Sequence, residues 1–149
     1  MALLPLLRAP FSSERRTGRL KKNPLISIVD DDNIVRRAIE SLVMSRGSRA
    51  CTFPSAEAFL QSPLVAETSC LISDVQMPGI SGVQLQDRLA DLGLSIPTIF
   101  ITAYPDDSVR TRVLGSGAVG FFLKPFDAQS LIECIDDALN RHGGKIAGD

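Results

Sequence analysis

Four short apolar runs in this sequence each end on side chains that can take part in chemistry. These side chains are Asp30, Asp31 and Asp32 after residues 25–29, Asp74 after 69–73, Thr102 after 96–101, and Lys124 after 118–123. In an open parallel sheet the residues that follow the strands meet at one edge, where such folds bind their ligands. The sequence therefore brings carboxylates, a hydroxyl and an ammonium group to a common edge.

This set of groups favours phosphoryl chemistry with a divalent cation. Clustered carboxylates repel one another unless a proton or a cation offsets their charge. Mg²⁺ and Mn²⁺ are hard cations that bind oxygen ligands of this kind. An ammonium group and a hydroxyl beside such an ion would stabilise phosphoryl oxygens, and a carboxylate can itself act as the nucleophile.

Each of these groups also has a simpler structural interpretation. An Asp run before a helix often supplies a cap, as Asp32 could. A single Asp or Thr at a strand end is often a turn residue, and Lys124-Pro125 is typical of a surface loop. Their occurrence together at four strand ends favours the functional interpretation.

The elements that would position these groups alternate along the chain. Short β-branched runs typical of buried parallel strands alternate with apolar patterns of helical period. Five strands are predicted at 25–29, 49–53, 69–73, 96–101 and 118–123. Five helices follow them; the first carries two adjacent apolar rows (Ile34, Ala38, Leu42 and Val35, Ile39, Val43), the third Val83, Leu85, Leu89 and Leu92, and the last Leu131, Ile132, Ile135 and Leu139. This alternation predicts an α/β fold, a doubly wound parallel sheet with helices on both faces.

Composition excludes several classes of protein. The chain has 149 residues, of which 44% are hydrophobic and 22% charged, as expected for one soluble domain. No apolar run approaches the roughly 18 residues of a membrane helix. The three cysteines have no CxxC spacing, and the single histidine, His142, argues against Ser–His or Cys–His catalysis.

Charge divides the chain into an extension and a domain. Residues 1–24 carry six basic side chains and one acidic one, whereas residues 25–149 carry 10 basic and 16 acidic ones. We expect 1–24 to be a disordered basic extension, with a targeting segment or a nucleic-acid-binding arm as alternatives. Residues 25–141 are the predicted domain, and the Gly-rich segment 142–149 a flexible tail.

At these motifs the sequence resembles a two-component response-regulator receiver domain of the CheY-like type. The resemblance covers about residues 25–141, and its most specific part is the pattern Asp-x-x-Met-Pro-x-x-x-Gly. The motifs are Ile28-Val29-Asp30-Asp31-Asp32, Ser73-Asp74-Val75-Gln76-Met77-Pro78-Gly79-Ile80-Ser81-Gly82, Ile101-Thr102-Ala103 and Lys124-Pro125-Phe126. The resemblance implies a flavodoxin-like sheet of strand order 2-1-3-4-5.

The resemblance also implies a role for each site residue. Asp74 would accept a phosphoryl group from a phosphohistidine of a sensor histidine kinase or phosphotransfer protein. Asp30, Asp31, Asp74 and the backbone carbonyl of Gln76 would hold Mg²⁺ (or Mn²⁺). Lys124 would pair with Asp74 and a phosphoryl oxygen, Thr102 would move its hydroxyl to that group, and the peptide before Pro125 would be cis.

Three further positions have expected roles through the same resemblance. Phe121 occupies the place of an aromatic switch residue that is Tyr in many relatives, and it would face the opposite side of its strand from Phe122. Gln76 and Tyr104 lie two residues beyond the acceptor and beyond Thr102, where side chains modulate loss of phosphate. A bulky Tyr104 is expected to shield Asp74 from water.

The expected function is that of a cytoplasmic bacterial switch and not of an enzyme, since it would catalyse only its own phosphorylation and dephosphorylation. Output would pass through the face formed by helix 4, strand 5 and helix 5 to a protein partner or a second copy, without direct nucleic-acid or membrane binding. Three alternatives stay open: the receiver portion of a truncated DNA-binding regulator, a phosphorylation-independent binding module, and a phosphatase of the haloacid dehalogenase type. The last would need a second Asp where Gln76 stands.

Overall fold

The computed structural model describes residues 23–148, with side chains through Arg141. Most of the predicted extension, residues 1–22, lies outside the described part. The elements are β1 Leu25–Val29, α1 Asn33–Ser45, β2 Arg49–Phe53, α2 Ala56–Leu60, a 3-10 helix Pro63–Glu67, β3 Cys70–Asp74, α3 Gly82–Asp91, β4 Thr98–Thr102, α4 Asp107–Gly115, β5 Gly120–Leu123 and α5 Ala128–Gly148.

The strands form one parallel sheet in the order β2-β1-β3-β4-β5. This confirms the predicted fold class and strand order. The 3-10 helix between α2 and β3 was not predicted, because a five-residue apolar segment opened by Pro63 has no helical period of its own.

The core lies on both faces of the sheet. On one face, side chains of β1, β3 and β4 pack against α1 and α5. On the other face, side chains of β1, β2 and β3 pack against α2 and α3. A smaller cluster around Phe100 reaches α4 through Val113. Phe121 joins this smaller cluster, whereas Phe122 packs on the α1–α5 face, so the two rings face opposite sides as predicted.

Helix α1 buries a narrower face than the sequence predicts. Ile39 and Val43 are buried and Val35 is half-buried, but Ile34 is 79% exposed and Ala38 is exposed as well. The prediction of two inward rows was wrong for these two residues. Ile34 lies in the first turn of α1, beside the exposed residues 31–33 that follow β1.

Two helix ends also differ from expectation. Leu92 is the residue after α3 and is 62% exposed, because the chain turns away at Gly93, which has φ of 75°. Helix α5 continues to Gly148, into the predicted tail 142–149. Gly143 and Gly144 disfavour helix but, unlike proline, do not forbid it.

Candidate functional site

The four strand ends bring the predicted side chains together. Asp30 directly follows β1, Asp74 and Thr102 are the last residues of β3 and β4, and Lys124 follows β5. Carboxylate oxygens of Asp30, Asp31 and Asp74 lie within 4.8 Å of one another. Asp30 and Asp74 are buried, whereas Asp31 is exposed. We call these three carboxylates the acidic rim.

Lys124 bridges two carboxylates of the acidic rim. Its Nζ lies 3.0 Å from Asp30 Oδ2 and 3.4 Å from Asp74 Oδ2. Burial acts to lower the pKa of Lys124, but the hydrogen bonds and charges of Asp30 and Asp74 together outweigh burial and raise it. The lysine is therefore a fixed positive charge at physiological pH.

The surroundings of Asp74 disfavour the ionised form of its carboxyl group. Burial, followed by the neighbouring charge of Asp30, raises the pKa of Asp74 to about 6, although Lys124 and the N–H of Gln76 act in the opposite direction. That N–H donates to Asp74 Oδ1 over 3.3 Å. The lysine thus offsets only part of the repulsion, and a further cation would stabilise the ionised carboxylate.

The segment after β1 fixes Asp30 in place. The backbone N–H of Asp32 donates to Asp30 Oδ1 over 2.8 Å, while the Asp32 side chain caps α1 by accepting from Ile34 and Val35. Asp32 therefore has the capping role that its position suggests. Sequence reasoning missed Arg36, whose Nη1 donates to the carbonyl of Asp30 over 2.6 Å; only its place one turn into α1 could have indicated it.

The chain between Asp74 and α3 passes very close to the site. The N–H of Gly82 donates to the carbonyl of Val75 over 2.8 Å, and a Cβ on Gly82 would lie 2.3 Å from the carbonyl oxygen of Asp74. Only glycine permits this approach. The Lys124-Pro125 peptide is cis.

Thr102 does not turn its hydroxyl to Asp74. Its Oγ1 accepts the N–H of Tyr104 over 3.1 Å and makes a longer 3.4 Å contact, as a donor, with the carbonyl of the same residue. Thr102 is buried, whereas Tyr104 is 60% exposed. The hydroxyl is thus held by the loop after β4, next to the acidic rim but engaged elsewhere.

Phe121 lies in β5 beside a cavity. Its half-buried ring packs with the cluster around Phe100. A cavity of about 320 Å³ opens next to it, lined by Pro105, Asp106, Asp107, Arg110, Phe121 and Leu123. The space lies between α4 and β5, on the face predicted to carry output.

A doubly wound sheet with an acidic rim bridged by a lysine defines the receiver class of signalling proteins. The family model for the response regulator receiver domain matches residues 26–136, and the chain belongs to this family. Receiver domains of two-component systems are signalling switches rather than classical enzymes, and they interact with histidine kinases.

Curated relatives support the same assignment. The chain is similar to response regulator protein TmoT of Ectopseudomonas mendocina (45% identical; 77% of this chain and 52% of the relative). It is also similar to nodulation protein W of Bradyrhizobium diazoefficiens (40%; 78% and 52%) and to transcriptional regulatory protein FixJ of Rhizobium meliloti (36%; 76% and 55%). The chain thus spans about half the length of the curated relatives it matches.

Solved structures agree with the fold. Response regulator StyR superposes with a TM-score of 0.78 at 35% identity, covering 85% of this chain and 64% of StyR. FixJ-N superposes with a TM-score of 0.71 at 34% identity, covering 80% of this chain and 96% of FixJ-N. Among residues 23–148, no helix is long and apolar enough to cross a membrane.

Proposed function

We propose that Asp74 accepts a phosphoryl group from a phosphohistidine of a sensor histidine kinase or phosphotransfer protein. The observation that carries this proposal is the double contact of Lys124 with Asp30 and Asp74 inside the acidic rim. In the transfer, a carboxylate oxygen of Asp74 forms a bond to phosphorus while the phosphorus–nitrogen bond breaks. Its electron pair stays on the departing imidazole nitrogen.

The residues present fit a hard divalent cation. Three carboxylates whose oxygens lie within 4.8 Å of one another are a donor set for Mg²⁺ or Mn²⁺. Asp30, Asp31, Asp74 and the backbone carbonyl of Gln76 would hold the ion. The ion would supply neutralisation of the charge on phosphoryl oxygens.

The chain's own groups account for the rest of the chemistry. Because the pKa of Asp74 is about 6, most of this carboxyl is ionised above neutral pH and able to act as a nucleophile. Lys124 already lies against Asp74 Oδ2 and can follow the charge onto an incoming phosphoryl oxygen. Catalysis of this kind is mostly positioning and charge stabilisation.

The switch follows from the position of the Thr102 hydroxyl. A phosphoryl group on Asp74 offers this hydroxyl a charged acceptor, which competes with the carbonyl of Tyr104. Moving the hydroxyl loosens the loop after β4, and Phe121 can rotate toward the space this opens. Phosphorylation would thereby favour a conformation of the α4–β5–α5 face that binds a protein partner or a second copy.

Gln76 and Tyr104 would modulate the lifetime of the phosphoryl group. Both side chains are exposed and follow Asp74 and Thr102 by two residues. The cytoplasmic location and the absence of direct nucleic-acid and membrane binding by this domain belong to the same proposal.

A second candidate is that the domain is the receiver of a longer transcriptional regulator. It is favoured by the lengths of the relatives, of which the chain covers 52% for TmoT and 55% for FixJ, and by the name of FixJ as a transcriptional regulatory protein. The phosphoryl chemistry is the same in both candidates, and only the output differs.

The decisive experiment is intact-protein mass after incubation with Mg²⁺ and acetyl phosphate. A single phosphate adduct on the wild type, dependent on Mg²⁺ and absent from Asp74→Asn, is expected. No adduct under conditions that label a known receiver would contradict the proposal and favour a phosphorylation-independent binding module.

A further inference from the structure

A contact between α2 and the loop after β3 has no role in the proposed chemistry so far. We call residues 75–81 the acceptor loop, since they follow Asp74. Glu57, in the first turn of α2, accepts the N–H of Ile80 on its Oε2 over 3.1 Å. The hydrogen bond is partly buried and joins two elements 23 residues apart in the chain. A carboxylate acceptor makes such a bond stronger than a neutral one.

The acceptor loop is shaped to receive this carboxylate. Gly79 has φ of 79°, in the left-handed region that glycine adopts readily. A Cβ on Gly79 would lie 2.3 Å from Glu57 Oε2, so the carboxylate occupies the space that any other side chain would need. Glycine is required here for backbone geometry and for the contact with α2.

The helix that carries Glu57 is capped and packed against the core. Ser55 caps α2 by accepting the N–H of Ala58 over 3.0 Å, and the flanking residues Ala56 and Phe59 are both fully buried. The helix backbone under Glu57 is therefore fixed against the sheet. A carboxylate on a fixed helix can restrain the loop to which it bonds, whereas a carboxylate on a mobile segment would move together with the loop.

One other hydrogen bond joins the acceptor loop to a distant element: the Val75 N–H donates to the carbonyl of Ile101 in β4 over 3.1 Å. Gly82 N–H bonds to Val75 at one end, and Gln76 N–H bonds to Asp74 Oδ1. None of these bonds involves residues 77–79 in the middle of the loop. The bond from Glu57 to Ile80 restrains the loop on the far side of Gln76, whose carbonyl would join the metal site.

We propose that Glu57 is a positioning residue that holds the acceptor loop and thereby sets the affinity of the acidic rim for Mg²⁺. This inference rests on the proposed function, because it assigns the loop carbonyl of Gln76 to the metal. Glu57 acts through the loop without binding the metal. Groups that orient metal ligands typically change metal affinity by about 10–100-fold when they are removed.

The test is isothermal titration calorimetry of the full chain with MgCl₂, comparing wild type with Glu57→Ala, Glu57→Gln and Glu67→Ala. Glu57→Ala should weaken Mg²⁺ binding about tenfold, the low end of that range, because a single backbone ligand is affected. Glu57→Gln loses the charge but keeps an oxygen acceptor for Ile80, so it should recover most of the affinity. Glu67→Ala removes an equal charge from the exposed 3-10 helix and should bind like wild type.

Amide hydrogen exchange without metal gives a second readout. The Ile80 N–H should exchange faster in Glu57→Ala than in wild type and Glu57→Gln. At saturating Mg²⁺, labelling by acetyl phosphate should reach the wild-type rate, so that the defect lies in the Mg²⁺ concentration needed and not in the maximum rate. If Glu57→Ala does not fold, Glu57→Asp, which is one methylene too short to reach Ile80, replaces it with the same expectations.

Each alternative result contradicts a specific claim. If wild type binds Mg²⁺ and Glu57→Ala binds it equally well, Glu57 has no positioning role while the proposed function stands. If Glu57→Gln is as weak as Glu57→Ala, charge alone acts and positioning is refuted. If wild type itself binds no Mg²⁺, the metal site of the proposed function fails and this inference fails with it.

Discussion

Two sides of the sheet differ in how tightly they are packed. We call strands β1, β3 and β4 the acceptor side, and β5 with α4 the β5 side. Every residue of β1, β3 and β4 is buried, and these strands carry Asp30, Asp74 and Thr102 at their ends. Strand β5 has no fully buried residue, and α4 has only Val113. Groups that must meet within about 0.5 Å need a rigid base, whereas elements that move are drawn from regions of low local stability.

Thr102 lies on the border between the two regions. Its backbone belongs to the buried strand β4, but its hydroxyl is bonded to the loop that leads into α4. A change at Asp74 can therefore reach the thinly packed side through a single hydroxyl. If the two sides differ in stability as they do in packing, matched substitutions on them should have unequal effects.

The largest expected effect comes from truncating matched aromatic rings on the two sides. Phe100 is fully buried in β4 and Phe121 is half-buried in the adjacent β5, with which it is in register. Phe100→Ala should lower the free energy of unfolding by about 4 kcal/mol. Phe121→Ala should lower it by about 1–2 kcal/mol, since less area is lost from the core. Urea unfolding of both variants measures the difference, and equal losses would contradict the contrast.

The second largest decrease in the free energy of unfolding is expected from removing the charge of Lys124. Lys124→Met leaves Asp30 and Asp74 unpaired, and we expect a loss of about 2 kcal/mol at pH 7.5 without metal, below the full cost of breaking a buried pair because the site borders solvent. Arg46→Met is the matched control, since the Arg46–Asp136 pair at 3.4 Å is about half exposed and should contribute less than about 0.5 kcal/mol. Thermal or urea unfolding distinguishes them, and equal losses would show that the buried position adds nothing.

Neutralising Asp74 should change the free energy of unfolding in the opposite direction. The pKa of Asp74 is raised to about 6 in the native protein, mainly by burial, so the native state binds more protons than the unfolded state between about pH 4 and 6. Stability from this group is therefore full below about pH 4 and lost as pH rises through 6. Asp74→Asn removes the penalty and should stabilise the metal-free protein by about 1–2 kcal/mol at pH 7.5.

The pH dependence is the critical part of this test. The gain from Asp74→Asn should vanish by pH 4, where both side chains are neutral. The exposed Asp31→Asn should change the free energy of unfolding by less than about 0.5 kcal/mol. A gain that persists unchanged at pH 4 would show that ionisation of the buried Asp74 carboxyl is not its cause.

The sequence predicts one of these two regions better than the other. The buried strands can be predicted because they are apolar runs in the sequence. The topology of a parallel sheet then places the residues that follow the strands, so Asp30, Asp74, Thr102 and Lys124 could be assigned to one edge. The sequence could not predict contacts that depend on side-chain rotamers and on distances between elements. The bond from Glu57 to Ile80, the turn of the Thr102 hydroxyl toward Tyr104 and the exposure of Ile34 are of this kind.

The loop between the two regions should control the lifetime of the phosphoryl group. Tyr104 follows Thr102 by two residues and is 60% exposed, so its ring can cover the approach to Asp74 without being locked in the core. Tyr104→Ala should admit water and speed loss of phosphate about threefold, equivalent to about 0.7 kcal/mol in activation free energy. The decay of the phosphate adduct by intact mass measures this rate. Unchanged decay would remove Tyr104 from the mechanism, and Tyr104→Phe, which keeps the ring, should decay like wild type.

The smallest expected effect concerns the salt bridge between α3 and α4. Arg112 Nη2 lies 2.9 Å from Asp87 Oδ2, and both side chains are more than half exposed. Arg112→Ala should therefore change the global free energy of unfolding by less than about 0.5 kcal/mol. Locally we expect a larger effect, because Val113 is the only buried residue of α4.

Native-state hydrogen exchange separates the local effect from the global one. Amides of α4 in Arg112→Ala should exchange faster by about twofold, whereas amides of β1 and β3 should not change. The Arg49–Glu67 pair, at 3.9 Å and similarly exposed, joins β2 to the 3-10 helix at the opposite edge of the sheet from β5. Arg49→Ala should leave exchange in α4 unaltered, since buried strands separate the two sites. Equal acceleration by both variants would mean that the sheet opens as one unit, and the two regions would then not differ in local stability.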